Sequence, residues 1–199
     1  MEPIVIIKYN AGNIESVKNA LNRLNVKAEI TDDHDRIRNA SKVIFPGVGE
    51  ASTTMAYLRE KGLDQVIISL KQPVLGICLG LQLMCSYSEE NDTECLGIFD
   101  EVVKRFVPAP GEEYINKVPH MGWNKIVNLK TSLFKELDEQ YVYFVHSFFA
   151  GLGEHTIATC NYINPFSAAL RKDNFYATQF HPEKSGTVGA TILENFIKL

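Results

Sequence analysis

The stretch Gly76-Ile77-Cys78-Leu79-Gly80 sets a thiol between two glycines, directly after the apolar run Val74-Leu75. A strand that enters such a bracket and leaves it as a helix has the pattern of a nucleophile elbow, with cysteine in place of serine. The tight turn holds the nucleophile in a strained backbone region and aims it outward at the helix N-terminus, where the helix dipole favours a thiolate. A nucleophilic thiol needs a base within hydrogen-bond reach, and the base needs an acceptor that orients it. Of the five histidines, His181 suits best, in Gln179-Phe180-His181-Pro182-Glu183-Lys184 after an apparent strand that ends at Phe180. Pro182 fixes the local backbone, so that the Glu183 carboxylate can turn back to the imidazole. Cys78, His181 and Glu183 are the candidate triad.

Acyl transfer also requires donors aimed at a developing oxyanion. The Leu79 amide, next after the nucleophile, is one by elbow geometry. Pro46-Gly47-Val48-Gly49 follows another strand on the same sheet edge, and its glycines leave backbone amides unshielded. That stretch is not a phosphate loop, since no Gly-Lys-Ser/Thr follows and the G-x-G-x-x-G pattern is missing. Metal-ligand spacings such as H-E-x-x-H are absent, and no metal or cofactor is expected. Cys85, Cys95 and Cys160 read as core, and His34 and His155 as solvated loop residues. His120 and His146 have no role that spacing alone supplies.

These residues need a scaffold that brings strand ends together. Ile4 to Ile7 is a continuous apolar run, the mark of a strand covered on both faces. Asn13 is a candidate N-cap before Ile14, Val17, Leu21 and Leu24, which share one helical face. Short strands at 27–30 and 43–45, helical spacing around 55–58 and 63–70, a strand at 74–77 and a helix over 79–87 follow. This alternation predicts βαβ units and a mostly parallel sheet. From Leu96 to about Val145 the strands are short, with only a brief helix near 133–137, which suggests an antiparallel extension. The alternation returns at 175–179, before a last helix over about 187–198. The expected architecture is α/β: one domain over 1–199, a three-layer sandwich around a mixed, mostly parallel open sheet.

Composition narrows the function. The 199 residues carry a net charge of −4, without the basic footprint of a nucleic-acid binder. No window holds 18 uninterrupted apolar residues, so no membrane span is expected. The N-terminal segment does not read as a signal peptide. The four cysteines form no CxxC pair and suggest reduced thiols in a cytoplasmic protein.

Together these residues resemble the class I (triad) glutamine amidotransferase family, with a flavodoxin-like fold. Its marks are G-x-C-x-G-x-Q, here Gly76 to Gln82, and a late H-P-E, here His181 to Glu183. Within it the chain is similar to the glutaminase subunits of imidazole glycerol phosphate synthases, through Tyr9-Asn10-Ala11-Gly12-Asn13, Pro46-Gly47-Val48-Gly49, Pro119-His120-Met121-Gly122-Trp123-Asn124, His146-Ser147-Phe148 and His181-Pro182-Glu183-Lys184-Ser185. The resemblance implies hydrolysis of L-glutamine to glutamate and ammonia by the Cys78-His181-Glu183 triad, with Val48 and Leu79 amides at the oxyanion. It places Gly47, Gln82, Glu90 and His146-Ser147-Phe148 around the amino acid end of glutamine. It also implies a heterodimer in which ammonia passes to a (βα)8-barrel cyclase of histidine biosynthesis, across an interface holding Asn13, Met121, Trp123 and Lys184. Such subunits work poorly alone, so the Gly47-Val48 peptide is expected to act as a switch. Two alternatives stand beside this: a glutaminase feeding a sugar amidotransferase of surface polysaccharide synthesis, and a non-catalytic amidotransferase-like regulatory module.

Overall fold

Every position of β1 (Ile4–Ile7) is buried, and its side chains alternate between two cores: Val5 and Ile7 in one cluster, Ile4 and Ile6 in the other. This places β1 inside a sheet with helices on both faces. The computed structural model describes residues 3–10 and 13–199, so Ala11 and Gly12 of the Tyr9–Asn13 motif lie outside the described residues. After β1 come α1 (Ile14–Arg23), β2 (Ala28–Thr31), α2 (His34–Arg38), β3 (Lys42–Gly47), α3 (Ala51–Glu60), α4 (Leu63–Ser69), β4 (Val74–Cys78) and α5 (Leu79–Met84). Then follow β5 (Tyr87–Ser88), β6 (Thr93–Glu94), β7 (Val102–Arg105), β8 (His120–Val127), β9 (Gln140–His146), β10 (Phe148–Ala150), β11 (Thr156–Asn161), β12 (Pro165–Lys172), β13 (Phe175–Thr178) and α6 (Gly186–Ile197).

The main sheet has nine strands in the order β2-β1-β3-β4-β13-β12-β11-β8-β9. The first five are mutually parallel, and β12, β11, β8 and β9 continue the sheet antiparallel. Val43, Phe45 and Val74 face α3, α4 and α5, while Ile44, Leu75 and Ile77 face α1 and α6. The three-layer, mixed α/β sandwich and its antiparallel extension are therefore present.

Four details differ from the sequence expectation. The helix after Cys78 ends at Met84 rather than Tyr87, because Cys85 turns extended and Ser86 leads into β5. All six of its residues are buried, so no polar face marks where it stops. A short helix α2, capped by the Asp33 side chain on the Arg36 amide at 2.9 Å, occupies a stretch that has too few residues to show a period. Residues 132–134 form only a 3-10 turn. Finally, β10-β7-β5-β6 make a separate four-stranded sheet of strands two to four residues long. Apart from the β5–β6 hairpin, strands that short are held by distant pairings, which a local pattern does not contain.

Candidate active site

β3, β4 and β13 run parallel side by side, so Gly47, Cys78 and the chain after Thr178 emerge at one sheet edge. Cys78 sits at φ 53° and ψ −104°, outside the regions open to most L residues. Gly76 and Gly80 are not among the residues with positive φ. What they supply is close approach: a Cβ at Gly80 would overlap the Phe45 carbonyl, and one at Gly76 would lie 2.9 Å from Met84 Sδ. The glycines thus let α5 press onto β3 and β4, while the cysteine itself carries the backbone strain.

Beyond Phe180 the chain is pinned against edge strand β9. The His181 amide donates to the Tyr143 carbonyl at 3.0 Å. The Ser185 hydroxyl donates to the His181 carbonyl at 2.7 Å and accepts from the Tyr143 amide at 3.0 Å. A 3-10 turn over Pro182–Lys184 then folds Glu183 back, 2.8 Å from Oε1 to His181 Nδ1, with both side chains fully buried. Burial works to lower the His181 pKa, but its neighbours Cys78 and Glu183 outweigh it and raise the imidazole well above its ordinary value. Nδ1 is held by Glu183, and the buried Nε2 has no hydrogen-bond partner among the described residues. That leaves Nε2 for the thiol.

Asn13 precedes α1 as expected but does not cap it. Its φ is 73° and its side chain makes no cap bond. Instead Nδ2 donates to Glu183 Oε1 at 2.5 Å, so the carboxylate is held by a second donor. Asn13 is only partly exposed, and its amide is committed inward rather than to the surface.

A cleft of about 320 Å³ opens over the thiol, lined by Val48, Gly49, Leu79, Gln82, Glu90 and His146-Ser147-Phe148 among others. Nearly every residue expected around substrate or oxyanion thus lines one cleft. Gly47 lies just beneath, where a Cβ would strike the Tyr9 hydroxyl. That hydroxyl donates to the Pro46 carbonyl; burial and the nearby Cys78 charge push the phenol pKa up and keep it a neutral donor. Glu90 Oε2 accepts the Ala51 amide at the start of α3 at 2.8 Å, and burial raises its pKa.

His120 and His146 form an ordered chain. A carbonyl only accepts, so the 2.7 Å contact to the Phe148 carbonyl makes His146 Nδ1 a donor. In the neutral ring Nε2 is then an acceptor, taking His120 Nδ1–H at 3.0 Å; His120 Nε2 in turn accepts from Asn124 Nδ2 at 3.2 Å. Burial lowers the two pKa values to about 4 for His120 and about 3 for His146. His155, expected in solvent, keeps a side chain only 12% exposed, 3.2 Å from Asp100.

On β8 and β9, Met121, Trp123 and Tyr141 point outward at 63%, 56% and 59% exposure, beside the Tyr143 and Val145 side chains on the same face. Lys184 is exposed too, one residue after the buried Glu183. Spacing missed Gln179, whose fully buried amide lies 3.7 Å from Cys78 Sγ. A polar residue set just before Phe180, at the end of a strand-like segment, was the available signal.

No helix is long and apolar enough to cross a membrane among the described residues. The family model for class-I glutamine amidotransferases matches residues 5–199. The chain is 60% identical over 197 residues to the imidazole glycerol phosphate synthase subunit HisH of Bacteroides fragilis, covering 98% of this chain and 99% of that one. It is 45% identical to the corresponding subunit of Shewanella loihica, over 98% of this chain and 90% of that one. Among solved structures, a glutamine amidotransferase superposes with a TM-score of 0.73 at 19% identity, over 98% and 97% of the two chains. PurLQS from Thermotoga maritima gives 0.66 at 14% identity, over 100% and 99%. An elbow cysteine, a buried His-Glu pair and a shared cleft thus meet in a chain that belongs to the class I glutamine amidotransferase family, on its branch of imidazole glycerol phosphate synthase HisH subunits.

Proposed function

We propose that this chain is the glutaminase subunit of an imidazole glycerol phosphate synthase, folded as one amidotransferase domain and working in the cytoplasm. The observation that carries the reading is Cys78, strained at the floor of the cleft, with the buried His181–Glu183 pair behind it. Glutamine enters with its side-chain amide over the thiol. Gln82 and the His146–Phe148 segment border its amino acid end, and Glu90 offers a carboxylate to the ammonium group.

The Cys78 thiolate attacks the amide carbon, and the electron pair of the C=O bond moves to oxygen, facing the Val48 and Leu79 amides. Collapse of this adduct expels the nitrogen, which takes a proton from the His181 imidazolium and leaves as ammonia. The neutral imidazole then removes a proton from water, which attacks the thioester and releases glutamate and the thiolate. Glu183 holds the ring in one tautomer throughout.

The ammonia acceptor is a (βα)8-barrel cyclase subunit. The exposed Met121, Trp123 and Tyr141 offer a partner the aromatic, apolar anchors typical of interface hot spots. Lys184 adds a charge next to the triad. The test is glutamate release from glutamine by the purified chain, alone and with the cyclase and its ribulosyl ligand. Weak activity alone that rises steeply with both is expected. High activity alone, or none with the cyclase, would overturn the assignment of the partner.

A further inference from the structure

We propose that Gln179 is a catalytic residue of this site: its side-chain amide donates to Cys78 Sγ and stabilises the thiolate. The inference rests on the glutaminase reading and names a group which that reading does not use. Gln179 is fully buried one residue past the end of β13, with its backbone amide held by the Ala168 carbonyl at 2.8 Å. Its Nε2 lies 3.7 Å from Cys78 Sγ, within reach for a donor to sulfur.

The neighbours decide which end of the amide faces the thiol. Gln82 Nε2 is 2.9 Å from the Phe148 carbonyl, which can only accept, so the Gln82 amino group must point there. Its second hydrogen is directed at Gln179 Oε1, 3.2 Å away. With its oxygen taken, Gln179 has only N–H bonds to offer the sulfur. The sequence of donors runs from Gln82 through Gln179 to Cys78, joining the floor of the cleft to the nucleophile.

This arrangement supplies what α5 does not. A six-residue helix has a weak macrodipole, and the thiol's other near contact is the Val145 carbonyl at 3.9 Å, an acceptor that favours the protonated form. An amide N–H favours the anion. It also assists the second half of the reaction, where sulfur must leave the tetrahedral adduct with the electron pair. A donor to a charged group is strong enough to change the thiolate fraction about tenfold. Intrinsic nucleophilicity falls by about threefold for that shift, so attack still gains about threefold below the thiol pKa.

The test is the pH dependence of Cys78 alkylation by iodoacetamide, corrected with the Cys78→Ala chain. It is read in the unsubstituted protein and in Gln179→Met, Gln179→Glu and Gln82→Met. The thiol also faces His181 with Glu183 behind it, Tyr9 from the end of β1, His146 from β9 and Glu90 across the cleft; all are unchanged in these variants. In Gln179→Met the alkylation midpoint is expected to rise by about one pH unit, with rates at pH 6 to 7 about threefold lower. Gln179→Glu keeps the shape and the acceptor for Gln82 but turns an anion toward the sulfur, so the midpoint rises further. Gln82→Met leaves Gln179 in place but unanchored, and a smaller rise is expected. Midpoints that coincide with the unsubstituted protein in Gln179→Glu and Gln82→Met would overturn the proposal even if Gln179→Met failed to fold. Alkylation needs no glutamine turnover, so the result stands apart from whether the chain is a glutaminase.

Discussion

Two buried histidine assemblies border the same cleft, and they are built on opposite electrostatic plans. His181 has a carboxylate on one nitrogen and the Cys78 sulfur near the other, so its protonated form is favoured despite burial. His120 and His146 have only each other, an amide and a carbonyl, and burial lowers both pKa values. The comparison teaches that burial alone makes a histidine a neutral strut, whereas burial with a carboxylate makes it a proton carrier. It also accounts for the Pro119–Asn124 and His146–Phe148 motifs together. They order the Phe148 carbonyl, which in turn receives Gln82 at the floor of the cleft.

The sharpest way to break this contrast is kinetic. His181→Asn removes the proton carrier, and kcat for glutamate release in the complex is expected to fall by about 10²–10⁴-fold. His146→Gln leaves the triad intact and loosens the Phe148 segment, so KM should rise about tenfold with kcat changed by no more than a few-fold. An equal loss of kcat in both variants would erase the distinction.

A second contrast is in stability against pH. His120 and His146 have folded pKa values of about 4 and about 3, below the unfolded value of about 6.5. The unfolded chain therefore binds more protons in that window, and stability declines as pH falls from about 6.5 toward 4. His181 acts in the opposite sense: its contribution is complete below about 6.5 and is lost as pH rises through its higher folded value. Urea midpoints measured between pH 7.5 and 5 should fall, and His120→Gln should flatten that slope, by about 1 kcal/mol per pH unit toward the acid end and little above pH 7.

The smallest effect is expected at the outer end of the neutral chain. Asn124→Ala removes a donor to His120 Nε2 and a second bond to the Asn161 carbonyl. A loss of about 1 kcal/mol in unfolding free energy with unchanged kcat would fit a purely structural role. A marked fall in kcat would mean that the histidine chain takes part in the chemistry.

Much of this was legible from residue order. The all-apolar β1 and β4, the glycine bracket and the short spacing from His181 to Glu183 are local features, and local sterics and burial determine what they become. The chemistry at Cys78 follows from a strand that must turn at once into a helix. Other features were decided only by tertiary packing. The pairing of β7 with β5 and β10 depends on segments far apart in the chain. Asn13 carries the type and position of a helix cap, yet 170 residues on lies a buried carboxylate that takes its amide instead. Gln179 has no motif of its own, and its place beside the thiol exists only because β13 lies next to β4. Sequence by itself determined which groups can react and where the chain must turn, because those depend on neighbours within a few residues. Only the folded sheet decided which distant polar side chains meet them, because a buried hydrogen bond goes to whichever partner the packing leaves within reach.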